Sequence, residues 1–409
     1  MVDGNLPVFQ LCFSDIVVMI TMKRFFPTLF VICFVATIDA LSLIPDTLKD
    51  DFFAIYRKAA VTSRDIQVAP VTPENVTFYL FTKDDPKRFV KFQKDNLQKV
   101  NLPMNGKVAF LVHGWTGDRE ADWYTEIKDN LLNKNYGVVE IDWKEPANEY
   151  YYISSINTYD VAKIIADTML ELSQKKGVPL KNMLPIGHSL GGHIVGFIGQ
   201  KVYEKSGQKL PRIVALDPAG PLFDVRPADK RLNSSSAEVV HVIHTDGGTF
   251  GYKDTIGTLD FFVNGGSSQP GCKRVDLADL TTITEPLSCD HRRAPFLFAE
   301  ALAYPREYIA QKCGSWDDFE ADKCQNGEKV AMGDLNSRNR GKFYLKTGKD
   351  RPFFKIEEEE KKKAGKEVEK NADKGTDKDS SRNGNRQDEK EKNKGPLSGI
   401  KEAARSVIG

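Results

Sequence analysis

The stretch Asn182-Met183-Leu184-Pro185-Ile186-Gly187-His188-Ser189-Leu190-Gly191-Gly192-His193-Ile194-Val195-Gly196 decides how the rest of the chain is read. Apolar residues lead up to Gly187, a serine stands between two glycines, and a helical pattern follows. The reading is strand, sharp turn, helix. Ser189 falls at the apex of a strained turn, where a side chain at Gly187 or Gly191 would collide with neighbouring backbone. Its hydroxyl would project from a sheet edge into a cleft. A bare G-x-S-x-G string is a weak signal, because glycine is a common residue. The strand before it and the helix after it make Ser189 a candidate nucleophile.

Working outward, Val76 to Thr82, Lys107 to Val112, Gly137 to Ile141, Met183 to Ile186, Ile213 to Leu216, Val239 to Ile243 and Leu259 to Val263 are short apolar or β-branched runs ended by Gly, Pro or Asp. Asp160 to Leu172 has helical spacing through Val161, Ile164, Ile165 and Leu170. Strands alternating with helices predict an α/β fold, a mostly parallel central sheet with helices on both faces.

The flanks have a different character. Lys23-Arg24 followed by the apolar run Phe25 to Ile38 fits a secretory signal, with Met22 as a plausible start; the run is short of the about 20 residues a spanning helix needs. Cys12 and Cys33 fall in the N-terminal segment expected to be removed, leaving Cys272, Cys289, Cys313 and Cys324. Four cysteines in a secreted chain predict two disulfides, with three pairings open. Without a C-x-x-C or a close histidine pair, zinc is not expected. Asn75-Val76-Thr77 and Asn233-Ser234-Ser235 are N-glycosylation sequons. Residues 355 to 409 contain no aromatic and carry 15 Lys or Arg against 13 Asp or Glu. Such a segment cannot bury enough apolar surface to offset its ordering entropy, so it reads as a disordered tail. The divisions are a signal or upstream segment at 1–40, a folded domain at 41–350 and a charged tail at 351–409. A formal net charge of +1 gives no argument for a nucleic-acid partner.

A serine needs a base to remove its proton, and the base needs an acid to orient it. When a nucleophile elbow opens an α/β sheet, these follow in the order Ser, Asp or Glu, His. Beyond the helix that follows Ser189, which itself carries His193, the histidines are His241, His244 and His291. The first two sit in or just after a buried strand; His291 lies in a polar, loop-like segment, Cys289-Asp290-His291-Arg292-Arg293, before a helix. For the acid, Asp217 ends the strand Ile213 to Leu216 and precedes Pro218-Ala219-Gly220-Pro221, while Asp246 closes the following strand. Spacing leaves Asp217 and Asp246, and His291 and His244, as alternatives.

From about residue 50 to 345 the chain resembles the pancreatic lipase family of the α/β-hydrolases, in particular its secreted insect phospholipase A1 branch. The resemblance rests on His113-Gly114-Trp115, Gly187 to Gly191, Leu216 to Pro221, His244-Thr245-Asp246, Leu259 to Phe262, Asn264-Gly265-Gly266, Gln269 to Cys272 and Cys289-Asp290-His291. It implies Ser189 as nucleophile, Asp217 as acid and His291 as base, with His244 and Asp246 structural. It implies an oxyanion hole from the backbone N–H groups of Leu190 and Trp115. It also implies the pairings Cys272–Cys289 and Cys313–Cys324. The first would close a lid over 273–288, stabilised by about 3 kcal/mol of chain entropy.

Triglyceride lipases of the family have longer lids and longer loops before Leu-Asp-Phe-Phe; here that loop is only Gly247 to Thr258. The resemblance therefore favours a phospholipase A1 acting at the sn-1 ester of phospholipids over a triacylglycerol lipase, with a non-catalytic, yolk-type lipid-binding protein as a reading of another class. The chain stops short of the family's C-terminal β-sandwich, so colipase is not expected as a partner. Asn233 and Ser236 stand where family members place acidic calcium ligands, so no metal or other cofactor is expected.

Overall fold

The computed structural model describes residues 69–94, 96–102, 106–272 and 289–356. The signal expected at 1–40, the lid at 273–288 and the charged tail beyond 356 lie outside the described residues. A single sheet holds eleven strands: β1 (Thr77–Thr82), β2 (Asp85–Phe92), β3 (Lys107–Val112), β4 (Tyr136–Asp142), β5 (Met183–His188), β6 (Arg212–Leu216), β7 (Val239–His244), β8 (Leu259–Val263), β9 (Ile309–Lys312), β10 (Lys329–Ala331) and β11 (Gly341–Leu345). Their spatial order is β10-β9-β11-β8-β7-β6-β5-β3-β4-β1-β2. From β11 to β4 every neighbouring pair is parallel, while β1, β2, β9 and β10 add antiparallel edges. The expected mostly parallel sheet is present.

Among the described residues six α-helices accompany it: α1 (Asp122–Asn133), α2 (Lys144–Ala147), α3 (Tyr151–Lys176), α4 (Leu190–Ser206), α5 (Cys289–Ala303) and α6 (Trp316–Glu320). A strand points successive side chains to opposite faces, and β3 shows it. Val108, Phe110 and Val112 join a core with Val161, Ile165 and Met169 of α3 and Ile194 and Ile198 of α4. Ala109 and Leu111 join the other core, with Ile127 and Leu131 of α1 and Leu297 and Phe298 of α5. Both faces of the central strands are buried, so these strands read as continuous apolar runs. Among the described residues no helix is long and apolar enough to cross a membrane.

The predicted helix over Asp160 to Leu172 is the middle of α3, which runs from Tyr151 to Lys176. Its ends lack apolar spacing because Ser154, Ser155, Asn157 and Thr158 are buried through hydrogen bonds to backbone carbonyls. Packing also continues past 350. Phe353 is buried in the α1–α5 core, and Arg351 forks onto Glu126 of α1 at 2.7 and 2.5 Å while reaching Glu300 of α5 at 2.7 Å.

The elbow requires close backbone approach. A Cβ on Gly191 would lie 2.2 Å from the Val112 carbonyl oxygen, and one on Gly187 would lie 2.0 Å from the Gly191 oxygen. Both contacts are with backbone, which cannot turn aside. Gly191→Ala is expected to destabilise the fold by about 3 kcal/mol through overpacking, a loss that urea unfolding would measure directly.

Candidate active site

Ser189 connects β5 to α4 at φ 59° and ψ −121°, a strained backbone for a residue with a side chain. Hydrogen bonds hold it from two sides. Its N–H donates to the Leu216 carbonyl at 3.1 Å, and its own carbonyl accepts from Gly192 at 2.9 Å and Ala219 at 3.2 Å. The next residue, Leu190, opens α4, and first-turn N–H groups of a helix have no intrahelical acceptor. The loop after β3 runs alongside: a Cβ at Gly114 would lie 3.2 Å from Ser189 Oγ.

That loop is clamped by a residue the sequence reading passed over. Trp143, after β4, donates its backbone N–H to His113 Nε2 at 3.2 Å and its indole N–H to the His113 carbonyl at 2.9 Å. Since Nε2 accepts, Nδ1 carries the proton and donates to the Gly114 carbonyl at 2.9 Å. The two rings stack with centroids 5.3 Å apart. Trp115 is fixed in turn through its indole N–H to the Glu149 carbonyl at 2.8 Å and an edge-to-face contact with Tyr151. The only sequence signal for the clamp was an Asp-Trp pair at the end of a strand.

Asp217 follows β6 at φ 43° and is fully buried. Its Oδ1 accepts from the N–H groups of Thr245 at 2.8 Å and Asp246 at 3.2 Å. Its Oδ2 lies 2.6 Å from His291 Nδ1. Gly251 of the 247–258 loop packs on it so closely that a Cβ there would come within 2.6 Å of both carboxylate oxygens.

His291 was expected in a loop before a helix; the structure places it inside α5, in the first turn. The segment is polar because its charges anchor the turn outward. The Asp290 carboxylate accepts the Gln269 N–H at 2.5 Å, and Arg292 pairs with Asp122 of α1 at 2.5 Å. Arg293 donates to the Pro270 carbonyl at 2.9 Å and lies over the Phe353 ring at 4.1 Å. The disulfide Cys272–Cys289 is formed at the same point, and Cys313–Cys324 is formed beside β9.

The rival histidines and acid are engaged elsewhere. His244 Nε2 meets Asp260 Oδ1 at 2.9 Å, and its Nδ1 meets the Tyr252 carbonyl at 3.0 Å. His241 is buried beside the Phe261 ring, with Arg212 at 3.2 Å from Nδ1. Asp246 has a side-chain oxygen within 4.8 Å of the ligand atoms of Asp217 and His291, yet its carboxylate oxygen accepts the Phe250 N–H at 3.3 Å. Burial first, then the charges of Asp217 and Asp290, pushes the Asp246 carboxyl up to about 9.

Of the two sequons, Asn75 donates its amide to Glu145 at 2.6 Å, and Asn233 donates to the Ala228 carbonyl at 2.7 Å while its oxygen accepts the Ser235 N–H. Asn233 thus builds the turn of the Arg231 to Ser236 segment.

The geometry is a serine on an elbow, a histidine bonded to a buried carboxylate, and backbone amides beside the serine. Comparison with known proteins gives the family. The family model described as Lipase matches residues 54–353. Pancreatic triacylglycerol lipase of Homo sapiens is 31% identical over 318 residues, spanning 71% of this chain and 68% of the human protein. This chain belongs to the Lipase family. The resemblance to pancreatic lipases read from the sequence is borne out. Lipase member H of Xenopus tropicalis is 35% identical over 257 residues, 61% of this chain and 53% of that protein. Human pancreatic lipase-related protein 2 is 30% identical over 285 residues, with 65% and 60% covered. This Lipase-family chain therefore spans about half the length of the lipase member H relatives it matches.

Proposed function

We propose that this chain is a secreted serine hydrolase of lipid esters, and within that class a phospholipase A1. The observation that carries the hydrolase reading is the 2.6 Å contact from His291 Nδ1 to the buried Asp217 carboxylate, with the elbow serine next to His188, whose ring lies against His291. With Nδ1–H donated to Asp217, His291 Nε2 is left as the acceptor for the Ser189 proton. Ser189 Oγ attacks the ester carbonyl, the N–H groups of Leu190 and Trp115 receive the oxyanion, and His291 returns the proton to the leaving alcohol. Water then repeats the sequence on the acyl-enzyme. The same residues argue against a storage role, since a lipid-binding protein needs no strained serine or buried Asp–His pair.

The phospholipase reading is supported by the loop over 247–258. It lies folded against the acid, with the Gly220 N–H donating to the Phe250 carbonyl at 2.8 Å and the Tyr252 N–H to the Pro218 carbonyl at 2.7 Å. Phe250 faces the His291 ring, with centroids 5.9 Å apart. A short loop held against the acid in this way would leave room for a polar headgroup. Human pancreatic triacylglycerol lipase is the relative that supports the second reading, triglyceride hydrolysis. Disulfides at Cys272–Cys289 and Cys313–Cys324 support an oxidising, extracellular location.

On phosphatidylcholine vesicles the protein is expected to release the sn-1 fatty acid and leave 2-acyl lysophosphatidylcholine, with triolein emulsions turned over more slowly. Rapid triolein hydrolysis with inert phospholipid would reverse the substrate assignment while leaving the hydrolase reading intact.

A further inference from the structure

Helix α5 carries Pro295 four residues after His291. In an α-helix the carbonyl of residue i accepts the N–H of residue i+4. Proline has no N–H, and its ring presses on that carbonyl. The residue proposed as the base has thus lost the helical donor to its own backbone, in a buried place where an unpaired carbonyl is costly.

The missing donor comes across the cleft. His188 Nε2 lies 3.1 Å from the His291 carbonyl oxygen. A carbonyl can only accept, so Nε2 carries the proton. The His188 ring is held between the His291 ring, centroids 4.6 Å apart, and the Trp123 ring of α1 at 6.0 Å, edge-to-face. We infer that His188 is a positioning residue for the base, giving the His291 carbonyl the hydrogen bond that Pro295 withholds. The inference rests on His291 acting as the base.

The consequence is geometric. His188 is the residue immediately before Ser189, so one side chain ties the backbone of the nucleophile to the backbone of the base. Their separation is set by a single hydrogen bond and a ring contact as well as by the packing of α5 on the sheet. Burial, reinforced by the facing His291, holds His188 well below the ordinary imidazole value, so it stays neutral at physiological pH. A neutral ring donates without setting a positive charge beside the imidazolium that forms on His291 during turnover.

Three variants of the full chain and the wild type test this with p-nitrophenyl butyrate, a soluble ester, reading kcat and KM separately. His188→Leu keeps bulk and removes the donor; it is expected to lower kcat about tenfold with KM unchanged. His188→Gln keeps an amide N–H at similar reach and should stay near wild type. Adding Pro295→Ala to His188→Leu returns an N–H to the His291 carbonyl from within the helix, and should recover most of the lost kcat. Wild-type kcat in His188→Leu, or no recovery in the double variant, would overturn the inference. Should His188→Leu fail to fold, long-range proton–nitrogen NMR of the wild type decides: an Nε2–H tautomer at pH 7 supports the role, and an Nδ1–H or doubly protonated ring overturns it. A wild type inert toward the ester would overturn the hydrolase reading, a failure distinct from an active wild type matched by His188→Leu.

Discussion

Asp217→Asn is expected to lower kcat about 10^4-fold, whereas Asp246→Asn leaves it close to wild type. The two carboxyls sit at the ends of neighbouring strands and near the same histidine, so the contrast is a sharp one. Asp217 Oδ2 contacts His291 Nδ1 at 2.6 Å, while two backbone N–H groups hold its other oxygen. Replacing it with an amide leaves the shape and presents either an N–H to an N–H or a weaker neutral acceptor. The histidine then takes the wrong tautomer or loses the charge that stabilises its protonated form. Burial and the Asp217 charge raise the Asp246 carboxyl to about 9, which favours its protonated form, and asparagine imitates that form. Steady-state kinetics on a soluble ester, with unfolding curves as a control, would check both.

Ser189→Ala is expected to cost about 10^6 in kcat, the scale found when a serine nucleophile is removed from an otherwise intact triad. Among the described residues, the histidines beside the elbow are engaged elsewhere, His188 with the His291 carbonyl and His113 with Trp143 and Gly114. What remains is the contribution of the backbone donors and of binding, typically 10^3 to 10^4 over water in such sites. The variant should keep its stability, because alanine retains the Cβ at the strained φ of 59° and only the hydroxyl is removed. Kinetics at high enzyme concentration would measure the residue of activity, and chemical denaturation the stability.

The central strands were legible because burial on both faces writes them as apolar runs ending in Gly, Pro or Asp. Strand β2, Asp-Pro-Lys-Arg-Phe-Val-Lys-Phe, was not, because it lies at the sheet edge with its middle residues exposed and charged. The terminal strands β9 and β10 are short and antiparallel, and Ile309 is exposed. Ser189 was readable from local sequence, since the elbow's constraints fall within five residues. The proposed acid was not readable from spacing, because Asp217 and Asp246 both end strands and it is the contact with His291 that favours Asp217. The helical setting of His291 was hidden by its charged neighbours, whose partners Gln269 and Asp122 are remote in sequence. The pairing of His188 with His291 spans 103 residues; Pro295 at the fourth position after His291 was the visible half of it.

The most direct test of the account is covalent. Folded protein would be incubated with a fluorophosphonate probe, digested, and the modified peptide sequenced by mass spectrometry. The account predicts one adduct, on Ser189, absent from Ser189→Ala and formed far more slowly in Asp217→Asn. Folded wild-type protein that takes no label, or that takes it on another residue while Ser189 stays free, would contradict it.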